Sequence, residues 1–253
     1  MFEDDQKERI LRKTRGQRRG IYFLPNLFTT ASLFAGFFSI VQGYSGYFSY
    51  AAAAIFVAMV LDSLDGRVAR MTKTQSPFGA EYDSLSDMVS FGVAPALLIY
   101  VWALNQLGKL GWLAAFVFVA GAALRLARFN TMLEVADKRW FIGLPSPAAA
   151  ALVAGFVWIS HDNEIIARNV LWLAWGVTLF AGITMISNIK YFSFKTINLR
   201  KSVPFMSISI LVLVFALIAW DPPLVLFSCV AIYALSGFVI FGWLWWRERR
   251  RKD

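Results

Sequence analysis

Residues 61–87 read LDSLDGRVARMTKTQSPFGAEYDSLSD, and this stretch decides how the rest of the chain is understood. It sets four aspartates, Asp62, Asp65, Asp83 and Asp87, at the ends of two apolar segments. On a helix over 51–71, Asp62, Asp65, Gly66 and Ala69 fall at i, i+3, i+4 and i+7 and share one face. On the helix that follows, Gly79, Asp83 and Asp87 share a face at i, i+4 and i+8. The polar run 72–77 breaks the apolar pattern, so the two helices are expected to turn and face each other. Four carboxylates then converge on one site. Pairing with Arg67 and Arg70 does not neutralise them, because Glu81 adds a fifth negative charge against two positive ones. Hard divalent cations held by oxygen ligands suit such a site, and both Mg²⁺ and Mn²⁺ fit the donor set.

The surroundings are apolar. Of 253 residues, 58% are hydrophobic, and the mean hydropathy of +0.57 is too high for an ordinary soluble domain. Aromatic residues make up 16%, with tryptophans near segment ends, as in the belts at membrane interfaces. A net charge of +9 would ordinarily suggest nucleic acid. Here the charges sit in short loops and tails beside apolar spans, where they set topology and meet anionic lipid, so no nucleic-acid partner is expected. Cys229, the one cysteine, lies in an apolar run and supports neither an intramolecular disulfide nor zinc. His161 reads as a solvated residue of a polar loop, and no cleavable signal peptide is visible ahead of the first apolar run.

An all-α polytopic membrane bundle of about eight transmembrane helices follows, with spans near 24–43, 48–71, 82–104, 110–129, 145–160, 169–188, 203–220 and 224–246. If the N-terminus is cytoplasmic and the sides alternate, 23 of the 25 Lys and Arg residues fall on the cytoplasmic side, leaving only Lys109 and Arg168 outside. That asymmetry predicts both termini, and the aspartate site, at the cytoplasmic face. The chain divides into a basic segment (1–20), a membrane core (21–195), two further helices (196–246) and a basic tail (247–253).

The spacing Asp62-x2-Asp65-Gly66-x2-Ala69-Arg70-x8-Gly79-x3-Asp83-x3-Asp87 resembles the signature of the CDP-alcohol phosphotransferases, with every defined position present. SFGVAPA at 90–96, FIGLPSPA at 141–148 and MISNIKY at 185–191 resemble its phosphatidylserine synthase branch, the membrane-integral bacterial and archaeal type. The likeness covers most of 25–195. It implies an enzyme of the bacterial or archaeal plasma membrane that moves the phosphatidyl group of CDP-diacylglycerol onto L-serine and releases CMP. It also implies two metal ions, with Asp62 and Asp83 bridging, Asp65 and Asp87 completing the shells, and Asp87 doubling as general base.

By the same resemblance, Asn26 and Thr29 of PNLFT border the nucleotide pocket, and Gly66, Ala69, Arg70 and Gly79 contact CDP-diacylglycerol. At Gly66 and Gly79 a side chain would keep a nucleotide off the backbone. Arg125 and Arg128, within RLARFN, and Lys190 offer cations for a serine carboxylate or a phosphate. The last two spans carry little motif content and suit packing or homodimer contacts. Glycerol phosphate, inositol phosphate and choline are the competing acceptors. A cation transporter fits less well, because no acidic residues continue the path across the membrane, and a non-catalytic scaffold leaves the aligned aspartates unexplained.

Overall fold

The computed structural model describes residues 26–72, 76–132, 140–192 and 205–250. The basic segment 1–20, Lys73, Lys138, Arg139, Lys195, Arg200, Lys201 and the tail 251–253 lie outside the described residues.

Helix α1 (Asn26–Tyr44) ends in a tight turn, where Tyr47 N–H donates to the Gln42 carbonyl at 2.9 Å and Gly46 adopts φ +84°. That left-handed conformation suits glycine, which has no Cβ to clash. Helix α2 (Phe48–Thr72) returns, and α3 (Pro77–Asp87) follows, with Ser76 as N-cap receiving the Gly79 N–H at 3.0 Å. Straight after Asp87 the helix widens into a π segment (Met88–Val93) before α4 (Ala94–Trp102). Pro95 explains the widening. It has no N–H and would crowd an ordinary helical turn, and the π segment relieves both defects.

After a 3₁₀ turn (Leu104–Leu107) come α5 (Lys109–Met132), strand β1 (Trp140–Ile142) and α6 (Ser146–Asp162). A second 3₁₀ turn (Ala167–Val170) leads to α7 (Leu171–Ile186), strand β2 (Lys190–Phe192), α8 (Phe205–Trp220) and α9 (Pro222–Arg249). The strands form one antiparallel ribbon, Trp140 opposite Phe192, which the helix-only expectation did not include. Gly143 beyond β1 adopts φ +77°, and a Cβ there would strike the Met185 carbonyl, so β1 closes tightly on the end of α7.

Among the described residues, six helices are long and apolar enough to cross a membrane: α1, α2, the continuous α3–α4 unit, α5, the 167–186 unit and α9. Helices α6 and α8, at 17 and 16 residues, are shorter, about 25 Å at the usual helical rise. Helix α6 sits at the centre of the bundle, packed on α2, α4, α7 and α9, and most of its residues are buried. Helix α6 packs on α2, and Ala149, Ala150 and Ala154 of α6 are fully buried in the same core as Ala51, Ala52 and Ala58 of α2. Small side chains let backbones approach where lipid supplies no hydrophobic force between helices. Large apolar groups such as Phe34, Val60, Leu173 and Trp220 point outward, as a lipid-facing surface requires. His161 is not in a loop. It occupies the last turn of α6, exposed, with its ring 5.4 Å from that of Phe48.

Serines register α1 against its neighbours. Ser86 donates to the Thr29 carbonyl, Ser90 to the Ser32 carbonyl and Ser32 to the Ala58 carbonyl, each at 3.1 Å. Bonds of this kind inside membranes contribute about 0.6 kcal/mol each, so they set the sliding position of α1 more than they hold it. The consequence is local: Thr29 is placed beside the end of α2.

Candidate active site

The aspartates lie where α2 and α3 face each other. Oxygens of Asp62, Asp83 and Asp87 lie within 4.8 Å of one another. At that spacing, ionised carboxylates repel by about 3 kcal/mol per pair at an effective dielectric near 20. Asp83 Oδ1 is also buried with no hydrogen-bond partner. A buried anionic oxygen without a donor is costly, and a cation would relieve both the lone oxygen and the repulsion. The all-oxygen donor set and the orphaned atom therefore fit Mg²⁺ or Mn²⁺.

Asp65 is held differently. It is 5% exposed, accepts the Thr29 hydroxyl at 2.8 Å, and lies against Asp83 outside the group of three. Thr29 is itself buried, so its hydroxyl faces the carboxylate of Asp65. Around the cluster, a Cβ on Gly66 would meet nothing within 4 Å, which leaves open space above that turn of α2. A Cβ on Gly79 would come 3.2 Å from Ser76 Oγ and 3.5 Å from Asn26 Oδ1, so Asn26 stands over the first turn of α3. Ala69 is half-buried and Arg70 exposed on the last turns of α2.

The predicted cations separate into three situations. Arg125 of α5 has a buried guanidinium, donates from Nη1 to Ser146 Oγ at 2.9 Å, and leaves Nε buried without a partner. It lies within electrostatic reach of Asp87. Arg128 instead ties α5 to the end of α7, donating to Asn188 Oδ1 at 2.8 Å and to the Ile186 carbonyl. Lys190 is exposed on β2, opposite Ile142. Asn130 Nδ2 donates to Ser84 Oγ at 3.0 Å and so links α5 to α3.

Sequence reading missed what α9 does here. Tyr191 of β2 is fully buried, donates to the Ala234 carbonyl at 3.0 Å and packs on Gly237. Burial, with Tyr233 adding to it, pushes the Tyr191 phenol up to about 12, so it stays a neutral donor. Tyr233 donates to the Phe192 carbonyl at 3.2 Å and stands within electrostatic reach of Arg125. Helix α9 therefore clamps the ribbon and walls the arginine. A tyrosine inside an apolar run gives no periodic signal for such a role. Ser146 was visible only within FIGLPSPA, where Pro145 and Pro147 mark a helix start.

A profile of the CDP-alcohol phosphatidyltransferases matches residues 22–180. A Helicobacter pylori protein named CDP-diacylglycerol–serine O-phosphatidyltransferase is 39% identical over 220 residues, 87% of this chain and 91% of its own length. A Methanocaldococcus jannaschii protein of the same name is 40% identical over 162 residues, 64% of this chain and 73% of its own. An archaetidylserine synthase of Methanothermobacter thermautotrophicus is 35% identical over 170 residues, 66% of this chain and 69% of its own. The chain belongs to the CDP-alcohol phosphatidyltransferase family.

Proposed function

We propose that this protein transfers the phosphatidyl group of CDP-diacylglycerol to the hydroxyl of L-serine, giving phosphatidylserine and CMP. The observation that carries the reading is the cluster of Asp62, Asp83 and Asp87 beside a buried arginine, in a chain so similar to serine phosphatidyltransferases.

Asp62, Asp83 and Asp87, with Asp65 behind them, would hold two Mg²⁺ or Mn²⁺ ions. Bound there, such ions would neutralise the pyrophosphate and polarise the attacked phosphorus. The chain's own residues do the rest. Asn26, Gly66, Ala69, Arg70 and Gly79 line the strip on which the cytidine nucleotide lies, and Thr29 keeps Asp65 oriented. Asp87 takes the proton of the serine hydroxyl as its oxygen forms a new bond to the phosphatidyl phosphorus. The bond from that phosphorus to CMP breaks, and CMP leaves with the bridging oxygen. Attack is direct, through a ternary complex. Arg125, Arg128 and Lys190 make the basic side of the acceptor site.

The same reading puts the protein in the plasma membrane, with α6 and α8 completing eight spans and both termini cytoplasmic. Helix α6 supports this despite its length, because it is packed on α2, α4, α7 and α9 at the centre of the bundle. The active site then opens to the cytoplasm, where L-serine is present.

The test is direct. Purified protein is incubated with CDP-diacylglycerol, Mn²⁺ or Mg²⁺, and L-serine, glycerol phosphate, inositol phosphate or choline in turn, and CMP and lipid product are measured. L-serine alone is expected to give rapid CMP release and phosphatidylserine. Release with another acceptor and not with L-serine would overturn the assignment.

A further inference from the structure

This inference rests on the reading of the aspartates as metal ligands and concerns what holds them at their spacing. We propose that Tyr82 and Thr30 are a positioning pair, whose hydrogen bond pins α3 to α1 and so sets Asp83 against the α2 carboxylates at the spacing a divalent cation needs.

Helix α3 has little apolar packing of its own to fix it. Of its 11 residues only Ser86 is buried, and Phe78 and Leu85 are exposed. Its position therefore depends on hydrogen bonds to its neighbours. In its last turn Ser86 donates to the Thr29 carbonyl, and Asn130 of α5 donates to Ser84 at 3.0 Å. Towards α1, the Tyr82 hydroxyl lies 2.9 Å from Thr30 Oγ1. Thr30 spends its own proton on the Asn26 carbonyl at 2.7 Å, so Tyr82 is the donor and Thr30 the acceptor. The Tyr82 ring is steadied by stacking on Phe78, one turn earlier, at 6.0 Å.

This bond closes a circuit around the site. Thr30 adjoins Thr29, whose hydroxyl bonds Asp65 of α2 at 2.8 Å. Asp65 lies against Asp83, and Asp83 adjoins Tyr82. Helices α1, α2 and α3 are thereby joined in one loop that passes through Asp83. The crowded carboxylates of Asp62, Asp83 and Asp87 push α3 away from α2 until a cation arrives, and the Tyr82 bond works against that push. Small displacements matter here, because Mg²⁺ demands short, nearly octahedral contacts and tolerates little distortion.

The experiment uses the full-length protein with Mn²⁺ as probe, its binding read by electron paramagnetic resonance, beside the Mn²⁺ and serine dependence of CMP release. The variants are Tyr82→Phe, which keeps the stack on Phe78, Thr30→Val, and the two together. Each single variant should weaken Mn²⁺ binding about threefold to tenfold and shift the metal dependence of turnover by the same factor. The serine KM at saturating Mn²⁺ should stay parental. The double variant should bind no more weakly than Thr30→Val alone, because the two hydroxyls share one bond. Thr30→Ser, which retains the hydroxyl, should bind Mn²⁺ as the parent does. A pair that only stabilises the fold would lower the melting temperature and leave Mn²⁺ affinity intact, and that result overturns the proposal. Losses that add in the double variant overturn it too. If Thr30→Val does not fold, Mn²⁺ affinity in Tyr82→Phe decides. A parent protein that binds Mn²⁺ while its folded variants match it overturns the positioning pair alone. A parent that binds no Mn²⁺ overturns the metal-ligand reading as well.

Discussion

The acidic corner between α2 and α3 and the basic corner around Arg125 are neighbours, yet they are built in opposite ways. The acidic corner comes from two consecutive helices and is under-bonded: three carboxylates crowd together and Asp83 Oδ1 has no donor. The basic corner draws on α5, α6, α7, β2 and α9, and most of its polar groups satisfy one another. Arg128 is taken by Asn188, Tyr191 by the Ala234 carbonyl and Tyr233 by the Phe192 carbonyl. Arg125 Nε is the exception. The difference teaches where ligands belong. The unpartnered atoms of Asp83 and Arg125 sit toward the reacting centre, while Tyr191 and Tyr233 spend their hydroxyls bracing the frame around it.

The largest expected effect tests the under-bonded side. Asp83→Asn keeps the side chain's size and removes its charge, and it should lower CMP release by about a thousandfold or more, since several kcal/mol of metal-mediated stabilisation are lost. Mn²⁺ binding, read by electron paramagnetic resonance, should weaken in parallel. In chelator the variant should melt no lower than the parent, because carboxylate repulsion is relieved. A folded Asp83→Asn protein with near-normal turnover would remove the acidic corner from the chemistry.

An intermediate effect should come from Thr29→Val, which keeps the shape and deletes the hydroxyl bonded to Asp65. A hydrogen bond to a charged group contributes about 1.5–3 kcal/mol, so kcat should fall roughly tenfold to a hundredfold, and Thr29→Ser should restore most of it. An unchanged rate in Thr29→Val would show that the bond only packs α1 against α2. The smallest effect belongs to the self-satisfied frame. Tyr233→Phe removes one neutral hydrogen bond to the ribbon and should cost about 1 kcal/mol of stability, seen as a small drop in melting temperature. Its turnover should stay close to that of the parent. If Tyr233→Phe lost turnover as severely as Asp83→Asn, the division between reacting centre and frame would fail.

The two corners also differ in how far they could be read beforehand. Asp62 and Asp65, then Asp83 and Asp87, lie one helical turn apart, so helix periodicity alone places each pair on one face. The helix break at Ser76-Pro77 was equally local, a capping serine followed by a proline at the first helical position. Nothing comparable announced that Ser146 would meet Arg125, or that Tyr233 would stand beside it. Those contacts join residues far apart in the chain, and they depend on how α5, α6 and α9 cross. The histidine was misplaced for a related reason. His161 is polar and precedes Asp162, yet Ser49 on α2 donates to Asp162 Oδ1 at 2.7 Å and helps carry α6 through both residues.

By itself the sequence determined the helical membrane class and the facing aspartates, because composition and helix periodicity act over one or two turns of chain. The tertiary structure decided which carboxylates crowd together and which is braced by Thr29. It also decided which arginine keeps a donor unpaired. Those outcomes depend on the crossing of distant helices, set by the buried alanines of α2 and α6, by serine hydrogen bonds to backbone carbonyls and by the tyrosine contacts of α9. Short-range propensity carries no record of that geometry.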